Sequence, residues 1–163
     1  MAENGASETD GGTPAMPSYR YNLDGLDEYL TTAEQIIKDG RYNEAVAMLR
    51  EAVQRYPDSA TAHFQYGSAQ FFRLQQDLAH LELWESLADD EEAAEECFNA
   101  FQEAIRLDPS LTEAYVRLGS LLALRGRPRK AIEVWEKALE LNPELPGIRE
   151  DIEECRARLG EQE

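Results

Sequence analysis

Residues 112–145 read TEAYVRLGSLLALRGRPRKAIEVWEKALELNPEL, and the spacing inside this stretch decides the fold. Counted from Thr112, Gly119 stands at position 8, Ala131 and Ala138 at 20 and 27, Trp135 at 24, and Asn142-Pro143 at 31–32. Small residues let two helix backbones approach each other, and the large indole fills the space they leave. The proline stops the second helix and sets the turn that follows. Residues 112–125 and 128–141 therefore read as an antiparallel helix pair, with Pro128 suited to a first helical turn.

The same ruler fits upstream. From Leu26, Ala33 falls at position 8, Gly40 at 15, Tyr42 at 17, Ala45 at 20, Leu49 at 24, Ala52 at 27 and Pro57 at 32. Between the two units Gly67 again takes position 8, counted from Ala60. Cys97, Phe101, Ala104 and Pro109 then keep the spacing of positions 20, 24, 27 and 32, displaced by 18 residues. The units are thus 26–59, 60–111 with an insertion near 75–92, and 112–145.

A 34-residue helix-turn-helix unit with this pattern resembles the tetratricopeptide repeat. The resemblance covers about residues 26–145 and implies an all-α, right-handed superhelix of three such repeats. In the family the first helix of each pair lines a concave groove that binds peptides or helices. The matching positions in the first unit include Leu30, Glu34 and Ile37. The second unit supplies Phe64, Gln65, Ser68, Phe71 and Phe72, and the third Glu113, Val116, Arg117, Ser120 and Leu124. The resemblance thus implies a non-catalytic scaffold for a protein or peptide partner, centred on the three phenylalanines. The carboxylate clamp of the family's co-chaperones is not carried over. Its basic and amide positions fall here on Leu30, Glu34, Gln65, Glu113 and Arg117, and only Arg117 matches.

Around the repeats, residues 1–21 are rich in Gly, Ser, Thr, Pro and Glu and read as a disordered tail, and 160–163 are a short tail. Asn22 or Asp24 is placed to cap a first helix ended by Gly40. Ile148, Ile152, Cys155 and Leu159 recur on one stripe of a helix over 146–159, the cap a repeat stack needs over its last exposed face. In the insertion, a break near Gln76-Asp77 is expected, followed by a separate short helix over 77–88. Leu78, Leu81, Trp84 and Leu87 would share a face of it. That face either packs on the domain or serves as a second interaction face for self-association, the alternative reading of function.

Composition bounds the rest. The chain has 163 residues, 16 basic and 33 acidic, and a net charge of −17. One domain with a sizeable core is expected. The acidic excess argues against a nucleic-acid partner and against anionic membrane surfaces. Only three of the basic residues are lysine (Lys38, Lys130, Lys137), which fits a salt-adapted proteome or a GC-rich genome with a solubilising surface. Two cysteines suggest no disulfide framework. No apolar run reaches bilayer length, and 1–20 lack a secretory apolar segment, so a cytoplasmic monomer is expected.

No catalytic set, cofactor loop or metal-ligand spacing is recognisable, so no enzyme, cofactor or metal site is expected. His63 falls at a packing position, and Asp89 to Glu96 reads as a solvated helix start. Arg125, Arg127, Arg129 and Lys130 form one basic cluster, read as a solvated turn.

Overall fold

The computed structural model describes residues 21, 23–80 and 87–160, with backbone alone over 77–80 and 87–90. Among the described residues there are seven helices and no strands: α1 (Leu26–Lys38), α2 (Tyr42–Arg55), α3 (Ala60–His80), α4 (Leu87–Leu107), α5 (Thr112–Leu124), α6 (Pro128–Leu141) and α7 (Ile148–Gly160). Each helix packs antiparallel on its successor. In addition α1, α3 and α5 touch one another in turn, whereas α2, α4 and α6 stand further apart. The result is an all-α solenoid with one face of odd-numbered and one of even-numbered helices.

The turn chemistry follows the sequence. Gly40 and Gly126 adopt positive φ (73° and 66°), a left-handed conformation that favours glycine and ends α1 and α5. Pro128 opens α6, where its missing N–H is no loss. The cap of α1 differs from expectation. Gly25 is the N-cap with no side-chain bond, and Glu28 reaches back instead to accept from the Asp24 backbone N–H at 2.8 Å. Asn22 lies outside the described residues. Ser59 caps α3, its Oγ accepting from Ala62 N–H at 3.1 Å.

Packing obeys the small-and-large spacing. An ideal Cβ at Gly119 would stand 2.8 Å from Trp135 Cε2 and closer still to Nε1; at Gly67 it would stand 2.9 Å from the Phe101 ring. Two apolar clusters result. One joins α1 and α2 around Tyr29, Leu49 and Ala33; the other runs from α3 to α7 around Phe101, Leu121 and Trp135. Cys97 is buried filler in the second, its Sγ–H donating to Gly67 O at 3.2 Å. Burial pushes its thiol up to about 12. Ile148, Ile152 and Cys155 of α7 are buried, and α7 packs on α6.

The insertion corrects the sequence reading. No break occurs near Gln76-Asp77: α3 continues to His80, and α4 already begins at Leu87 rather than near Asp90. Residues 75–80 contain no glycine or proline, so nothing stops the helix from propagating. Both helices reach 21 residues, about 31 Å at 1.5 Å per residue, and accompany one another. Of the expected helix over 77–88, residues 77–80 belong to α3 and 87–88 to α4, and 81–86 lie outside the described residues. Leu81 and Trp84, the side chains of Leu78 and Leu87, and the tails 1–20 and 161–163 lie outside the described residues. Among the described residues no helix is long and apolar enough to cross a membrane.

Candidate partner-binding face

The odd-numbered helices carry the positions at which a groove was expected, and packing divides those residues into three groups. Phe71 is 3% exposed and belongs to the core, and Phe64 lies half-buried with its ring 6.2 Å from that of Phe101. Leu30, Ile37 and Val116 are also half-buried against the two clusters. The Val116 carbonyl accepts from Trp135 Nε1 and from the Ser120 hydroxyl, each at 3.1 Å. Of the three phenylalanines on which the groove was centred, Phe71 is therefore core, and Phe64 and Phe72 are half-buried.

Phe72, half-buried, packs on residues of two other helices. Its ring stacks on Tyr42 at 5.7 Å with 24° between planes, and the Arg117 guanidinium lies over it at 4.8 Å from the centroid. Arg117 also reaches Phe71, at 5.9 Å. Burial lowers the Arg117 pKa from its ordinary value. Among the described residues Arg117 has no carboxylate partner. Leu124, 46% exposed, ends the α5 stripe, and Glu113 is exposed at its start.

The third group is polar. Glu34 of α1 is exposed and accepts a hydrogen bond from Gln65 Nε2 at 3.0 Å. Gln65 and Ser68 are 9% and 7% exposed, and among the described residues neither Gln65 Oε1 nor Ser68 Oγ has a hydrogen-bond partner. Sequence spacing put these residues on one face. It could not say that Tyr42, from the second helix of the first unit, joins them.

The opposite face holds a feature the sequence did not reveal. Where the even-numbered helices diverge, a cavity of about 1100 Å³ opens over Tyr66, Ala100, Ile105, Leu118 and Val134, rimmed by Glu103, Arg106, Glu133 and Lys137. His63 lines it too, its ring nitrogen 2.8 Å from Pro57 O. Beside the cavity, Arg50 Nε donates to Tyr66 Oη at 3.2 Å, and the Tyr66 hydroxyl donates to Glu96 at 3.0 Å. Fully buried Gln70 also donates to Glu96. Burial raises the Tyr66 pKa. The basic turn is likewise not wholly solvated. Arg125 is only 10% exposed at its side chain and pairs with Glu91 and Glu95 of α4.

Models of the tetratricopeptide repeat match residues 26–69 and 112–145. Among curated proteins, the small glutamine-rich tetratricopeptide repeat-containing protein 2 of Mycosarcoma maydis is 26% identical over 140 residues, 82% of this chain and 35% of that protein. The chain therefore spans about a third of that relative's length. Among solved structures, the MamA protein is 24% identical with a TM-score of 0.67, covering 83% of this chain and 64% of that one. The first such domain of Spaghetti (RPAP3), bound to the HSP90 peptide SRMEEVD, is 19% identical with a TM-score of 0.68, covering 83% and 93%. Repeat spacing, the glycine-to-aromatic packing and these matches agree: the chain carries tetratricopeptide repeats.

Proposed function

We propose that this chain is a non-catalytic protein-interaction scaffold with three repeats, 26–59, 60–111 and 112–145, capped by α7. It holds a peptide or helix of a partner protein against the face of α1, α3 and α5. The observation that carries this reading is the Tyr42–Phe72–Arg117 stack, a half-buried aromatic ring held between an aromatic and a cation with no carboxylate partner among the described residues. Tyrosine, phenylalanine and arginine grouped in this way are common anchors of binding energy. The peptide seen on the similar domain of Spaghetti supports the same class of partner.

A second reading puts the partner in the cavity of the even-numbered helices, favoured by its size and apolar floor. Affinity capture with the full chain, run beside a Phe72→Ser/Leu124→Ser variant and a Val134→Glu variant of unchanged circular dichroism, separates the two. Loss of a captured protein only in the first variant supports the odd-helix face. Loss only in the second moves the site to the cavity, and equal retention in both sinks both readings.

A further inference from the structure

The contact of α1 with α3 is rich in hydrogen-bond acceptors and poor in donors. Glu34 is exposed, and among the described residues no cation neutralises it. Among the described residues, Gln65 gives its amide N–H to Glu34 and is left with an unpaired oxygen; Ser68, one turn further along α3, has an unpaired hydroxyl. Buried polar atoms of this kind nearly always have partners; Gln65 Oε1 is covered as the amide now stands and would meet a ligand donor only after the amide turns. Asp27 adds an exposed carboxylate to α1 and Glu113 one to α5, against one exposed base on these helices, Lys38, which stands one turn after Glu34. The whole chain, at −17, attracts cations to this surface and repels acids.

We propose that this face selects a partner segment carrying a lysine or arginine, whose cationic head is received by Glu34 with Gln65 as a supporting acceptor. The inference rests on the odd-helix face being the partner site. At present the Gln65 amide must turn its nitrogen to Glu34, because its oxygen would meet a carboxylate. Once a ligand cation stands at Glu34, rotation of the amide about its terminal torsion exchanges the two atoms and presents the oxygen to that cation. Arg117 does not compete for Glu34: it lies over Phe72 on the α5 side, and its charge is left to a carbonyl or carboxylate elsewhere in the same segment.

The test uses the full chain and four immobilised degenerate nonapeptide libraries, alike except for a central residue fixed as lysine, arginine, alanine or glutamate. Retention on the lysine and arginine libraries is expected to exceed the alanine library about tenfold, the worth of one charge-assisted hydrogen bond. Glu34→Gln should bring it down to the alanine level, and Gln65→Leu part of the way. Glu34→Gln changes the net charge only from −17 to −16, so a general field would barely respond. Retention by Glu34→Gln equal to wild type therefore overturns the proposal, as does a preference for the glutamate library. If Phe72→Ser lowers retention on all four libraries while Glu34→Gln does not, the face is used but the cation selectivity fails. Retention indifferent to both variants, or none on any library, counts against the face itself.

Discussion

Gly119 and Trp135 are a locked pair: the indole lies over the glycine so closely that a Cβ there would overlap its ring, and its Nε1–H is tied to Val116 O at 3.1 Å. Gly119→Ala would gain up to about 1 kcal/mol of helix propensity. It would lose about 1–3 kcal/mol to overpacking, because the buried ring has no room to move. We expect a net loss in urea denaturation, smaller in a Gly119→Ala/Trp135→Leu double variant than the sum of the single losses. Additive losses would mean that the two side chains do not share that space.

Arg125 joins the end of α5 to the start of α4 through Glu91 and Glu95. The arginine is nearly covered while both carboxylates are exposed, so its removal should cost about 1–2 kcal/mol, below the value for a wholly buried pair. Arg125→Met should also raise amide hydrogen exchange at the first turns of α4 more than elsewhere. Uniform exchange along the chain would speak against a local tie.

Cys97 is buried beneath Gly67 with its thiol pushed to about 12, and burial also raises Cys155. At pH 8 the Cys97 thiolate fraction is roughly one in ten thousand, so iodoacetamide should leave the native thiol unmodified. Labelling should appear with the urea unfolding transition, followed by mass spectrometry. Fast modification of Cys97 in native buffer would contradict the burial.

Asp151 has its pKa raised by burial, with Glu154 and Glu150 adding repulsion. A carboxyl whose folded pKa lies above its unfolded value destabilises the fold while ionised, and this cost disappears as pH falls through the folded pKa. Asp151→Asn should therefore stabilise the protein near pH 7, by less than about 1 kcal/mol for so exposed a group. The gain should vanish on acidification. A variant equally stabilised at both pH values would sink this account.

The stack at Phe72 shows how much of the site could be read in advance. Periodicity assigned Phe64, Gln65, Ser68, Phe71 and Phe72 to one side of α3. A helix side is broader than a groove, however. The depth at which α4 and α5 pack decides that Phe71 enters the core and Phe72 does not. Tyr42 was legible as a repeat position but not as the partner of a ring 30 residues away. The orphaned oxygens of Gln65 and Ser68 exist only once neighbouring helices exclude water from them.

By itself, the sequence determined the helix pairs and their contact distance. Gly119, Gly67 and Ala33 at one position, with Trp135, Phe101 and Leu49 at another, admit one close antiparallel packing, and Gly40 and Gly126 place its turns. Those are local or near-local constraints, set by backbone conformation and side-chain volume. Only the tertiary structure decided that α3 and α4 lengthen together, that Arg125 belongs to α4, and that the even-numbered helices part to leave a cavity. Each depends on where a third helix lies, and no spacing within one pair of helices carries that information.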